Sequence, residues 1–227
     1  IRAHLPLDEL RKHLFVHQTN EDWIPYRTSY YTENWGFCLS RRQLDADEVC
    51  DPLGDFTLTS DHPYFPLQPV LRQWFYEGED EGQLLELVVT VLDETEVVSG
   101  VTTRVVEERE SLDGTVIEVS RNFFAQAEDG SICYFGEDVD IIDPETGEVT
   151  HEGAWRADDA DSGPGLFFPA NLQPGTTFQQ ENAPNAQDEA KIVGRAGLVV
   201  VEAGSFPETL RVLERNPLDG GKDYKIY

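Results

Sequence analysis

The chain has 227 residues, 39% of them hydrophobic and 11% aromatic, which is enough to bury a core and to exclude global disorder. Its 44 acidic residues outnumber 17 basic ones, for a formal net charge of -27 and a pI near 4.3. That balance excludes nucleic acid as a partner, because phosphate-backbone binding depends on clustered Lys and Arg, and it disfavours an anionic membrane surface for the same reason.

The length suits one large β domain, or a domain with a small appendage. Residues 1–60 carry a net charge of -4 and residues 61–227 carry -23, so the acidity belongs to the second part. Such an excess reads first as a solvated, self-repelling surface. Divalent-cation binding and adaptation to high salt are the sharper readings, and 4 Lys against 13 Arg agree with the latter. No run of 18 apolar residues occurs, so no transmembrane segment is expected. The chain starts at Ile1 and holds no Met, as a product freed of a leader would, or a fragment. Cys38, Cys50 and Cys133 allow at most one intrachain disulfide, with the pairing left open. CxxC, CxxH and HExxH are all missing, which leaves no signature of a structural zinc site.

In chain order, LPLDELRKHLF (5–15) spaces Leu7, Leu10 and Leu14 as one face of a short helix, with Pro6 near its start and Asp8 and Glu9 in its first turn. Next, Pro25–Tyr31 and Gly36–Leu39 read as two short strands joined by the polar turn TENW. Tyr30, Tyr31, Trp35 and Phe37 then form a small core or a docking surface for a neighbouring chain. LPLDELRKHLF followed by WIPYRTSYYTENWGFCLS resembles the small accessory domain inserted in di-zinc aminopeptidase-like proteins, over about residues 4–50. The metal-binding motifs of such peptidases have no counterpart here, so the resemblance carries over no catalytic residue.

From residue 84 onward, strand-like runs alternate with turns. LLELVVTVL, GVTTRVVEER, TVIEVSRNFFAQA, SICYFG, VDIID, EVTHEGAW, TTFQQE, AKIVGRAGLVVV and ETLRVLER are separated by SLDG, AEDG, DPETG, EAG and LDGG. Connections this short require antiparallel neighbours, since parallel crossovers take a dozen or more residues. The expected fold is therefore mostly β: an antiparallel meander forming a barrel or strongly curved sheet at 59–227, with a small N-terminal α/β piece at 1–58. HPYFPL, WFYEGE, FAQAEDGSICYFGEDV, HEGAW and PGLFFPANLQPGTTFQQENAPNAQDEA make the region from about 60 to the end similar to an uncharacterised family of secreted or lipoprotein-like bacterial β proteins. That family usually has Trp at the place of Cys133 and usually continues past KDYKIY. The resemblance implies a fold and an extracellular or cell-envelope location, and it implies no reaction.

For a metal, Asp138, Asp140, Asp143 and Glu145 in EDVDIIDPETGE are the first candidates, because closely spaced carboxylates and a turn carbonyl supply the oxygens that Ca2+ prefers. The spacing is not that of an EF-hand, and the plainer reading is a strand followed by a polar turn. Asp158, Asp159 and Asp161 form a second, weaker group. Cys38, His13, His17, His62 and His151 could enter nucleophilic chemistry, yet no GxSxG elbow marks a nucleophile, so buried or exposed structural roles are expected. Trp74, Phe75, Tyr76, Phe123, Phe124, Tyr134, Phe135, Trp155, Phe167 and Phe168 either fill the barrel or line a cavity for an apolar ligand, and filling is the commoner outcome.

These readings converge on a non-enzymatic, extracellular or cell-envelope module that self-associates through its aromatic N-terminal segment or an open sheet edge. A binding protein for a small apolar ligand or Ca2+ is the alternative. A fragment of a zinc aminopeptidase-like protein is the remote one.

Overall fold

Two-residue turns set the architecture. Ser99-Gly100 and Asp113-Gly114 place both central residues at positive φ (52° and 80°, 47° and 77°), the geometry whose twist matches that of the flanking strands. They join β3 (Gln83–Val98) to β4 (Val101–Leu112) and β4 to β5 (Thr115–Ala127). The computed structural model describes residues 43–80, 82–201 and 203–227. The expected helix at 5–15, the hairpin at 25–39 and the residues they carry, among them His13, His17, Tyr30, Tyr31, Trp35, Phe37 and Cys38, lie outside the described residues.

Among the described residues a short helix, α1 (Ala46–Val49), is capped by Asp45, whose carboxylate accepts the Asp47 amide at 3.1 Å. Strand β1 (Phe56–Thr57) pairs with the end of β5. The meander then runs β2 (Gln73–Asp80), β3, β4, β5, β6 (Ile132–Ile142) and β7 (Val149–Thr150), each antiparallel to the next. Strands β8 (Trp155–Arg156) and β9 (Gly165–Phe168) pair along β6 as well. A second antiparallel sheet orders β10 (Thr177–Gln179), β11 (Glu189–Val201), β12 (Gly204–Arg215) and β13 (Lys222–Ile226).

The chain is thus mostly β, built of curved antiparallel meanders, as the spacing of turn signals requires. The barrel does not close among the described residues: no hydrogen-bonded strand joins the β2–β7 path to the second sheet. The reason is local. After Ile142 the chain pairs with β6 only in pieces of two to four residues, so no full-length strand carries the sheet round to β2. Register shifts between Val91 and Thr95, Glu110 and Ser111, and Asn122 and Phe124 supply the bend instead.

Where sequence segmentation placed SICYFG and VDIID in two strands, β6 runs continuously from Ile132 to Ile142. EVTHEGAW does the reverse, since His151–Ala154 form a turn between β7 and β8. Strands β2, β9 and β13 had no separate periodic signal. QWFYEGED and GLFF lack the apolar-polar alternation, and KDYKI is too short for it.

The core lies where both faces of the sheet are covered. Residues Asn122–Ala127 of β5 and Ile132–Glu137 of β6 are buried throughout. One side meets residues 43–57: Cys50 is bonded to Cys133, and the Phe56 ring stands edge-on to Phe135 at 5.4 Å. On the other, Phe65, Phe124, Tyr134, Phe167 and Phe168 form a run of ring contacts that reaches Tyr227 beyond β13. Phe178, Ile192, Leu210 and Val212 of the second sheet belong to the same core.

Candidate functional site

Strand pairing arranges three rows of side chains across one sheet face, because directly opposed residues of neighbouring strands share a face. The first row runs Tyr76, Leu87, Glu110, Glu118 and Ile141 from β2 to β6. The second runs Trp74, Val89, Glu108, Ser120 and Val139. The third, from β3, is Val91, Val106, Asn122 and Glu137. The face therefore grades from apolar at β2 and β3 to polar at its centre. There, Asn122 donates to the Val106 carbonyl at 3.2 Å and accepts from the Tyr134 hydroxyl. Burial, and then the carboxylate of Glu137, push the Tyr134 phenol well above its ordinary range, so it is a hydrogen-bond donor at any ordinary pH.

The second sheet brings a matching polar cluster. Lys225 Nζ stands 2.6 Å from Glu214 Oε2, and the Tyr227 hydroxyl donates to Glu214 Oε1 at 2.8 Å. Burial alone would raise the Glu214 pKa, and the neighbouring ammonium reverses this and holds it below the ordinary carboxylate value. Burial likewise works against the Lys225 charge, and Glu214 outweighs it and keeps the ammonium protonated above the usual lysine range. Glu108 acts electrostatically on Lys225 and Tyr227, which ties the cluster to the second row of the first sheet. Lys225→Met would leave Glu214 buried without its cation. Because a third of the Lys225 side chain is exposed and solvent screens the pair, the expected cost is about 2 kcal/mol rather than the larger figure for a fully buried pair, read from urea unfolding.

The four residues marked for Ca2+ are not gathered. Asp138 is held by Arg156, with Nη2 to Oδ2 at 2.6 Å, in a group that also takes Glu96 at 3.0 Å and lays the guanidinium over the Phe123 ring. Asp140 lies 3.0 Å from His151 Nδ1. Asp143 accepts the amides of Glu145 and Thr146, closing the DPETG turn, and these bonds hold its carboxyl below the ordinary range. Glu145 is exposed in that turn. Asp138 and Asp140 share the exposed face of β6, but Arg156 and His151 engage their carboxylates separately and the turn consumes Asp143, so linear proximity does not become convergence. Among the described residues no group of three or more His, Cys, Asp or Glu side chains is arranged to hold a metal ion. In the second acidic group, Asp158 and Asp159 accept the Ser99 and Arg156 amides.

His62 is buried beside Phe168, with ring centroids 5.1 Å apart, and burial lowers its pKa, so it sits in the core as a neutral imidazole. His151 is a surface partner of Asp140. The aromatic side chains expected either to fill or to line a cavity pack on one another, with Phe124 and Tyr134 stacked at 4.5 Å and Tyr134 edge-on to Trp155 at 5.3 Å. Phe75 and Tyr76 stand apart from this cluster, at 70% and 46% exposure on β2. A polar hollow of about 360 Å3 lies beside α1, where Asp45 caps the helix and Asp47 accepts from Asn182 at 3.2 Å.

Comparison with known proteins finds similarity at the beginning of the chain. Residues 1–49 match a domain of unknown function, DUF2172. A Clostridium acetobutylicum protein described as "Putative polysaccharide biosynthesis protein with aminopeptidase-like domain" is 37% identical over 81 residues, which is 36% of this chain and 18% of that protein. The chain therefore spans less than a fifth of the relative's length. The expected resemblance of the first segment to an accessory domain of aminopeptidase-like proteins agrees with both matches. No solved structure matches the chain.

Proposed function

We propose that the chain is a non-enzymatic extracellular or cell-envelope module that self-associates through an open sheet edge, and β2 is the observation that carries this reading. Among the described residues β2 ends the sheet order and pairs only with β3, so one side of its eight-residue backbone is unpaired. Unpaired strand edges are templates for strand addition, and natural proteins usually blunt them. Strand β2 has charge at its far end, Glu77 to Asp80, while its first half presents Phe75 and Tyr76, with Leu71 and Leu84 exposed nearby. The buried Cys50–Cys133 bond supports the location, since disulfides persist in oxidising compartments.

Two copies of a chain of net charge -27 repel, so association strengthens as salt screens the repulsion. In sedimentation across a concentration series, the mass is expected to rise above the 25.6 kDa of one chain, and to rise further at high ionic strength. Phe75→Glu replaces an exposed apolar ring of the edge strand with one more like charge and is expected to weaken association by about tenfold or more without moving the unfolding midpoint. A strict monomer at every concentration and salt would overturn the reading. The alternative, a fragment of a zinc aminopeptidase-like protein, is supported by the partial similarity to the Clostridium acetobutylicum protein, whose description includes an aminopeptidase-like domain.

A further inference from the structure

Two buried glutamates stand opposite one another at the centre of the first sheet. Glu110 of β4 and Glu118 of β5 are partners in register, at 3% and 8% exposure, in a row where Leu87 flanks one and Ile141 the other. Directly opposed residues of an antiparallel pair have Cβ atoms about 4.5–5.5 Å apart, so two ionised carboxyls here would repel at close range with little water between them. We propose that the Glu110–Glu118 pair is a proton-held latch: one proton kept at this point lets β4 and β5 stay packed, and its loss loosens the inner face of the sheet.

The neighbouring carboxylates push in the same direction. Glu108 lies two residues along β4 in the adjacent row, and Glu137 of β6 contributes a further carboxylate; both act on Glu118, as does Glu110. Tyr76 of β2 closes the row at its other end. From the second sheet, Glu214 of β12 and Lys225 and Tyr227 at β13 face the same region, with Lys225 committed to Glu214 at 2.6 Å. Burial first, then these carboxylates, raise the Glu118 pKa from 4.5 to about 8. Its folded value is above its unfolded one, so the contribution to stability is complete below about 4.5 and is lost as pH rises towards about 8. Across that window the unfolding constant is expected to rise by up to about tenfold per pH unit on account of this group.

The test uses the full 227-residue chain. Carboxyl carbon NMR is followed from pH 5 to 10 alongside amide hydrogen exchange in β4 and β5, for the wild type, Glu118→Gln and Glu110→Gln. One glutamate carboxyl titrating near 8 in the wild type and missing from Glu118→Gln is the expected result. It should be accompanied by β4–β5 exchange that accelerates beyond its intrinsic base catalysis in the wild type alone. Should Glu118→Gln not fold, Glu110→Gln supplies the comparison, because removing the opposing charge lowers the same titration. Carboxyls that all titrate below about pH 6, or exchange that accelerates equally in wild type and variants, would overturn the proposal.

Discussion

Gly165→Ala and Gly136→Ala are each expected to destabilise the protein by about 3 kcal/mol or more, since an added methyl there meets backbone at closer range than at the other described glycines compared. At Gly165 a Cβ would lie 1.9 Å from the Gln180 carbonyl oxygen and 2.5 Å from its carbon. At Gly136 it would lie 2.2 Å from the Trp155 oxygen and 2.8 Å from the Arg156 Cα. These neighbours are backbone, so no rotamer change relieves the overlap, and the only response is to move a strand. Gly136 adds a φ of +122°, a conformation that side chains with a Cβ rarely adopt. Both glycines flank Tyr134 and Glu137 and let β8, β9 and the segment after β10 close over β6, so displacement there would also disturb the polar face. Gly147 separates the two causes. It also has a positive φ, of 73°, but a Cβ there would meet nothing within 4 Å, and Gly147→Ala is expected to cost only about 1 kcal/mol. Guanidinium unfolding of the three variants measures the difference, and equal midpoints would mean that the close approach at β6 is not as described.

Loss of the Cys50–Cys133 bond is expected to lower stability by about 2–4 kcal/mol. The bond closes a loop across a sequence separation of 83, so its chief effect in the chain-entropy account is to restrict the unfolded ensemble. It also tethers the segment around α1 to β6 at the buried centre of the sheet, both sulfur-bearing residues being fully buried. Unfolding midpoints of the wild type with and without reductant, compared with a Cys50→Ala/Cys133→Ala variant, measure the effect. The reduced wild type and the variant should coincide, both well below the oxidised protein. A thiol count in denaturant should find one reactive group per chain, Cys38, before reduction, and all three afterwards. A midpoint insensitive to reductant would exclude the bond.

Antiparallel β structure was legible because it depends on local chemistry. The Asp113-Gly114 turn, the alternation along Val101–Val106 and the brevity of the connections leave few other ways to pair the strands. The Asp143 turn was legible for the same reason. What could not be read was which of the abundant carboxylates matter. Glu110 and Glu118 lie eight residues apart and look like ordinary surface acids of two strands, and only their register shows them buried face to face. The cluster of Asp138, Asp140, Asp143 and Glu145 shows the opposite case, since residues adjacent in sequence were drawn to Arg156, His151 and turn amides, partners that no spacing rule names.

Composition and short-range pattern alone established an acidic, mostly β chain with enough apolar and aromatic residues to bury a core, because charge count, turn geometry and two-residue periodicity are properties of neighbours along the chain. Tertiary structure decided the pairing of Cys50 with Cys133 over Cys38, the lack of barrel closure and the open edge at β2 among the described residues, and the burial of two opposed glutamates. Each of those depends on strand register and on contacts between residues far apart in sequence, where a shift of one position would turn a side chain to the other face.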